Sequence, residues 1–147
     1  MIKTIHNEGK STMTVQIGNK QLDKPIIQGG MEIGVSRSSL AGAVAKAGGM
    51  GVISTAQVGY DAPLFRADPE EANLQALPVE IQIAKRIAGN IMSVTQRYGD
   101  YVKAAAAAGA DAIISGAGLP LNLPEFTKGS DSRLHPSFLL SGRQSRC

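Results

Sequence analysis

Residues Pro25 to Met31, which read PIIQGGM, predict the fold of this chain. The stretch is a short apolar run that stops at two glycines, Gly29 and Gly30, and a helix-start signal follows at Ser36. Glycine lets the backbone approach a ligand closely, and a helix N-terminus presents N–H groups and a partial positive charge. A buried strand that ends in this way and leads into a helix is typical of an anion site, above all a phosphate site.

The segment after this stretch predicts a first helix and a second strand. Ser36 is the candidate N-cap and Gly48 the candidate residue just past the helix end. The apolar helical spacing is carried by Leu40, Val44 and Ala47. The short apolar run at 50–54 then predicts a second strand, and every strand of this kind is expected to be buried on both faces.

A second helix begins at Asp68, where an Asp cap is followed by Pro69 and, three residues after the cap, by Glu71. We interpret Asp68 and Glu71 as a helix cap and not as a catalytic carboxylate pair. The predicted apolar face consists of Leu74, Leu77, Ile81, Ala84 and Ala88. Pro78 lies inside this pattern and is expected to kink or split the helix.

Two further βα units follow. Asn90 to Val94 predicts a short third strand, clipped at its start because Ile87–Gly89 runs straight into it. Tyr98 to Ala108 predicts a third helix that Gly109 ends, and 111–115 predicts a fourth strand. Upstream, the alternation around Val15 and Ile17, with a turn at 18–20, predicts a small β-hairpin before the first main strand.

This order of strands and helices implies an α/β fold with a parallel sheet and right-handed crossovers. Ligands bind at the carboxyl ends of parallel strands, both in barrels and in open sheets. Three such ends carry the chemistry of interest: Gly29–Met31, Asn90–Met92 and Gly116–Gly118.

Composition indicates a globular chain with an electrostatically balanced body. Of 147 residues, 43% are hydrophobic and 18% charged. Up to Thr127 there are 11 basic and 11 acidic residues, so the net charge of +3 arises entirely from the end of the chain. A nucleic-acid partner is therefore not expected. The single cysteine, Cys147, the polar start and the interrupted apolar region at 104–119 favour a cytoplasmic protein without a membrane span.

Taken in order, these segments resemble the nitronate monooxygenase family, formerly called 2-nitropropane dioxygenases. The resemblance covers roughly Leu22 to Gly129 and rests on Pro25–Met31, Ser36–Ala41, Ala47–Ser54, Asn90–Met92 and Asp111–Pro120. The FMN-dependent enoyl-ACP reductases share much of this pattern and are close relatives.

The resemblance implies a (β/α)8 TIM barrel that binds FMN and oxidises an alkyl nitronate with O2. By the same resemblance, the backbone of Gly29, Gly30 and Met31 would line the flavin ring, and Asn90 would contact the cofactor through its side-chain amide. The pocket rim would include Gly116, Ala117 and Gly118.

The residues alone leave other interpretations open. Gly29 and Gly30 are also what a tight strand–helix turn without a ligand requires. Asn90 could instead cap local backbone at a strand end, and Gly116–Gly118 could be a flexible loop. Glu32 stands where the family usually has glycine, and its carboxylate would crowd the flavin and repel the phosphate.

The chain is too short for a complete barrel, which needs about 250 residues. We therefore interpret residues 1–130 as the N-terminal half, about four βα units preceded by the hairpin. The family's catalytic histidine lies in the second half, so no catalytic residue and no metal ligand is assigned, and His6 and His135 lack the required context. An open half-barrel exposes strand edges and apolar interior, so self-association is expected.

Residues 131–147 are predicted to form a disordered tail unrelated to the family. Codons for Ser132 to Leu140 can be chosen that, read in another frame, encode Lys-Ile-Ala-Pro-Ile-Val-Ser-Ser, which resembles the family's fifth strand. We therefore expect a frameshift near Gly129–Ser132. Three functions follow: a nitronate monooxygenase-like enzyme, an enoyl-ACP reductase-like NAD(P)H oxidoreductase, or an inactive truncated product.

Overall fold

The computed structural model describes residues 2–6, 13–17, 20–84, 87–117 and 123–126. Six strands and four α-helices lie in this part of the chain. In order they are β1 (Ile2–His6), β2 (Met13–Ile17), β3 (Lys20–Leu22), α1 (Ser38–Lys46), β4 (Gly51–Ser54), α2 (Pro69–Ile83), β5 (Ile87–Met92), α3 (Tyr98–Ala107), β6 (Ala112–Gly116) and α4 (Leu123–Phe126). A short 3-10 helix, Pro63–Arg66, precedes α2.

A parallel sheet forms the centre of the molecule, as the sequence predicts. Its strand order is β4-β5-β6, and a bridge between Ile27 and Met50 adds the first segment beside β4. One helix separates each strand from the next, because α1, α2 and α3 form the three crossovers. The predicted α/β fold of repeated parallel βα units is therefore confirmed.

The predicted hairpin is confirmed as the antiparallel pair β2 and β3, and β1, which was not predicted, extends it to a three-stranded antiparallel meander, β1-β2-β3. The prediction missed β1 because Ile2–His6 reads IKTIH, in which the two apolar residues are three positions apart and do not alternate as in a half-buried strand. Ile17 and Leu22 of the meander are buried against Val52, Ala88 and Ala112. The meander thus covers one face of the parallel sheet.

The helices cover the other face of the sheet. The side chains of Ile53, Ile91 and Ile113 point into a core completed by residues of the three long helices, among them Ala41, Leu77, Ile81, Val102 and Ala105. Small residues permit close approach: a Cβ on Gly51 would overlap the carbonyl oxygen of Ala41. Alanine and glycine therefore set the distance between α1 and β4.

The first helix differs from its prediction at its start and on its face. The N-cap position is Arg37, which makes no side-chain cap, and the hydroxyl of Ser36 is engaged elsewhere. The buried positions are Ala41 and Ala45, whereas Leu40 is exposed. The helix begins two residues after the predicted cap because Ser36 is held inside the preceding loop.

The start of α2 agrees with prediction, since the N–H of Glu71 donates to Asp68 Oδ1 at 3.0 Å. Its interior does not, because α2 runs unbroken through Pro78. Ala88, predicted on its face, lies in β5.

The third strand is longer than predicted and starts earlier. It spans Ile87–Met92 and pairs with four residues of β4 and five of β6. The strand is therefore not clipped: Ile87–Gly89, which the prediction placed before the strand, lie inside the sheet.

The first main strand is not buried on both faces. Only Ile27 forms a bridge, and Ile26 keeps 57% of its surface exposed. The reason is position, because this segment lies at the sheet edge and pairs with β4 on one side.

Candidate functional site

Parallel pairing places the predicted site segments along one edge of the sheet. The ends of the Ile27 segment, β5 and β6 carry Gly29–Met31, Asn90–Met92 and Gly116–Ala117. Hydrogen bonds tie neighbouring ends together: Thr55 N–H donates to the carbonyl of Asn90 at 3.0 Å. The N–H of Ser93 donates to the carbonyl of Gly116 at 2.8 Å. Gly118, also predicted at this site, lies outside the described residues.

Two of the predicted residues, Gly30 and Asn90, are in direct contact. A Cβ on Gly30 would overlap the Asn90 amide nitrogen and crowd its Cβ and Cγ. The requirement for glycine at position 30 is thus explained by the Asn90 side chain. No hydrogen bond joins the Asn90 amide to another described residue, so it does not cap local backbone within that part of the chain.

Gly29 and Gly116 instead present open faces, because a Cβ on either would meet no atom within 4 Å. Met31 is 58% exposed beside Gly30, and Ala117 has a left-handed φ of 59°. Open glycine faces beside an amide that bonds no described residue suit a flat ring that needs close backbone approach and a few polar partners. The donor set therefore fits an isoalloxazine ring.

Ser36, predicted to cap α1, is the polar centre of the loop that carries the glycines. It is 1% exposed. Its hydroxyl oxygen accepts from Met31 N–H at 2.8 Å and from Gln28 Nε2 at 3.0 Å, and the hydroxyl donates to the Gly29 carbonyl at 3.4 Å. The sequence signal was misassigned because a serine before a helix satisfies both a cap pattern and a loop-closing role.

The N-terminus of α1 is occupied by a carboxylate from α2. Glu80 Oε2 accepts from Ser38 N–H at 2.7 Å, while Glu80 Oε1 accepts from Arg37 Nε and Nη2 at 2.9 and 2.7 Å. Arg37 Nη1 also donates to Asp61 at 2.7 Å. One N–H of the first turn of α1 is therefore already bonded to a carboxylate, which disfavours a phosphate at this helix end.

This ion network shifts the pKa values of its members. Asp61 and Glu80 together raise the pKa of Arg37 above its usual range. Burial acts to raise the pKa of Glu80, but the hydrogen bonds from Ser38 and Arg37 outweigh burial and lower it. Arg37 also lies 5.8 Å from the ring centre of Tyr60. No local sequence pattern indicates this network, because its members are far apart along the chain.

A cavity of about 420 Å³ adjoins the same carboxyl edge. Its lining includes Glu32, Thr55, Glu70, Met92 and Tyr101, and the described lining residues include no lysine or arginine. The hydroxyl of Tyr101 donates to Glu70 Oε2 at 3.0 Å, and burial, reinforced by the Glu70 charge, raises the pKa of Tyr101. An anionic phosphate is not favoured in this cavity.

A second cavity, of about 390 Å³, lies at the opposite, amino-terminal edge of the sheet. Lys20 and Asp111 pair there at 3.0 Å. It is remote from the glycine segments and from Asn90, so it is not the candidate site.

Other classes of site find no support in the part of the chain that the structure describes. Among residues 2–6, 13–17, 20–84, 87–117 and 123–126, no three His, Cys, Asp or Glu side chains cluster as metal ligands would. No helix of that part is long and apolar enough for a bilayer crossing. Arg97 pairs at the surface with Glu71 and Asp100. The predicted tail, 131–147, lies outside the described residues.

Comparison with known proteins gives similarity to solved structures. No protein-family model and no curated protein matches the sequence. The structure is similar to that of FabK from Thermotoga maritima, with a TM-score of 0.53 and 27% sequence identity. The match covers 74% of this chain and 32% of FabK, so the matched part spans about a third of that protein. FabK is a TIM barrel, and the chain has the fold of part of a (β/α)8 barrel; the likeness supports the family resemblance without selecting one member.

Proposed function

We propose that this chain binds FMN as part of an oxidoreductase of the nitronate monooxygenase family that oxidises alkyl nitronates with O2. The observation that carries the proposal is the alignment of Gly29–Met31, Asn90 and Gly116 along one carboxyl edge of a parallel sheet. The similarity to FabK supports it, because FabK is an FMN-dependent enoyl-ACP reductase of the same family.

In this proposal, each residue at the edge has a separate task. The open faces of Gly29 and Gly116 admit the flat ring, and the exposed side chain of Met31 covers its apolar part. The Asn90 amide supplies a hydrogen bond to a polar atom of the ring. Bound FMN would supply the oxidation of a substrate carbanion and the transfer of its electrons to O2.

The phosphate group must be held elsewhere. Glu80 already accepts from the first N–H of α1, and the cavity that Met92 helps to line also carries Glu32 and Glu70. Both features repel a phosphate. We therefore assign only the ring-binding edge to the described residues.

A second candidate is NAD(P)H-dependent reduction of an enoyl thioester, which the structural match to FabK favours. A third is a product without activity, which the exposed apolar edge around Ile26 favours because such an edge promotes aggregation. Self-association through that edge, and a cytoplasmic location, remain predictions.

One purification distinguishes the three candidates. A yellow protein with flavin absorbance and nitronate-dependent O2 uptake supports the first. Flavin binding with NAD(P)H turnover on a crotonyl thioester supports the second. A colourless chain that gains no flavin signal when titrated with FMN contradicts both enzymatic functions.

A further inference from the structure

We infer that Ser36 is a positioning residue whose buried hydroxyl fixes the backbone of Gly29–Met31 in the conformation that the flavin ring requires. The inference rests on the proposed FMN binding and extends it to a residue that contacts no cofactor. Its basis is the convergence of three hydrogen bonds from one short loop on a single oxygen atom.

Two reciprocal hydrogen bonds between Met31 and Ser36 close the loop on itself. Met31 N–H donates to Ser36 Oγ at 2.8 Å, and Ser36 N–H donates back to the Met31 carbonyl at 3.3 Å. The Ser36 hydroxyl donates to the Gly29 carbonyl at 3.4 Å. Ser36, six residues after Gly30, therefore bonds the backbone at both ends of Gly29–Met31.

The loop that Ser36 closes is anchored to the sheet on both sides. Gln28 Nε2 donates to Ser36 Oγ at 3.0 Å and to the Val52 carbonyl at 3.3 Å, and Val52 N–H donates to Gln28 Oε1 at 3.4 Å. Ser54 N–H donates to the Ser36 carbonyl at 3.1 Å. The Gln28 side chain thus connects strand β4 to the hydroxyl that holds the loop.

The loop needs such anchoring because its backbone is strained. Ile33 has a φ of 55° and Gly34 a φ of 71°. A β-branched residue in the left-handed region is disfavoured and persists only where surrounding contacts determine it. Without the Ser36 hydroxyl, the segment would relax, and the Met31 N–H would lose its partner inside a nearly closed loop.

The test uses the full chain with Ser36→Ala and, as the matched control, Ser39→Ala, an exposed serine on α1. Two quantities are measured: hydrogen exchange of the Met31 amide without ligand, and the dissociation constant for FMN from flavin fluorescence. We expect S36A to speed Met31 exchange and to weaken FMN binding, each about tenfold, because one buried hydrogen-bond partner is removed. S39A should change neither quantity.

A second variant tests whether S36A acts through the local hydrogen-bond network and not through general destabilisation of the fold. Gln28→Leu removes the amide that bonds Ser36, and its effect on FMN affinity should be non-additive with that of S36A, since both act through one network. If S36A left either the exchange rate of the Met31 amide or the affinity for FMN unchanged, the role of Ser36 would be overturned. The proposed FMN binding would then still stand. Failure of the unaltered chain to bind FMN would overturn the proposed function together with the flavin role of Ser36.

Discussion

The side chain of Asn90, at the end of β5, lies directly against the α-carbon of Gly30, so closely that no side chain fits at position 30. The two residues belong to segments that β4 separates within the sheet. Their contact shows that the loop after the first strand reaches past the end of β4 to the end of β5.

Gly30→Ala should destabilise the chain and weaken FMN binding, because the new methyl group displaces Asn90. The expected loss of unfolding free energy is about 1–3 kcal/mol, the usual cost of overpacking. Chemical denaturation and a flavin fluorescence titration measure the two effects.

Gly29→Ala separates stability from ligand binding at the neighbouring position. A Cβ on Gly29 meets nothing within 4 Å, so stability should stay within about 0.5 kcal/mol of the unaltered chain. FMN binding should still weaken, because the methyl group occupies the space proposed for the ring. Unchanged flavin affinity in this variant would place the ring away from Gly29.

Gly51→Ala should be the most damaging of the glycine substitutions. Its Cβ would overlap the carbonyl of Ala41 in the buried contact between β4 and α1. We expect a loss of about 3 kcal/mol, since backbone cannot move aside as a side chain can. Gly116→Ala, which meets open space, is the matched control, and equal denaturation midpoints for the two variants would contradict the packing described here.

Glu80→Gln should reduce the amount of unfolding free energy that the chain loses when the pH is lowered. Because the folded state lowers the pKa of Glu80 from its ordinary value of 4.5, its charge stabilises the fold above that value. This contribution is lost as pH falls through the folded pKa. Near pH 7 the variant should lose about 2 kcal/mol through weaker hydrogen bonds to Arg37 and Ser38.

Thermal unfolding between pH 7 and pH 3 tests this expectation. The difference between E80Q and the unaltered chain should narrow as the pH falls below 4.5. The control is Glu71→Gln, because the exposed pair of Glu71 with Arg97 should contribute little to stability at any pH. A difference that widens in acid would mean that Glu80 is not held in its charged form.

Ile26→Lys should reduce self-association of the full chain. Ile26 lies 57% exposed on the open edge of the sheet, and a lysine on an edge strand opposes pairing with another copy. Light scattering over a concentration series should show the unaltered chain increasing in mass and I26K remaining smaller. Val79→Lys is the control, since Val79 is 54% exposed on α2, away from that edge. Equal mass for all three proteins at every concentration would exclude this edge as the contact.

The elements of the fold could be predicted wherever one residue imposes a local backbone rule. Asp68 and Pro69 fixed the start of α2, and Gly109, with a φ of 88°, follows the end of α3. Pro78 was misjudged because packing of Leu77 and Ile81 holds the helix together through a residue that disfavours it. Exposure of the Ile27 segment was missed because its apolar sequence does not reveal which of its sides has a partner.

The candidate site could be predicted only in part. The positions of Gly29, Gly30 and Asn90 along one edge follow from strand order, and strand order follows from the alternation of strands and helices. The choice of Ser36 as a cap was wrong because its hydroxyl had two satisfactory partners nearby along the chain. In the structure the Ser36 hydroxyl bonds the loop that carries the glycines and not the helix N-terminus.

Local sequence patterns specified the order of the strands and helices and the start of α2, since caps, glycines and apolar runs act on the backbone within a few residues. Only the tertiary structure decided which polar groups meet: Glu80 at the start of α1, Ser36 inside the glycine loop, and Asn90 against Gly30. The physical reason is that these contacts join residues far apart in the chain. Their energies depend on how the sheet curves and how the helices pack, and no local pattern encodes either.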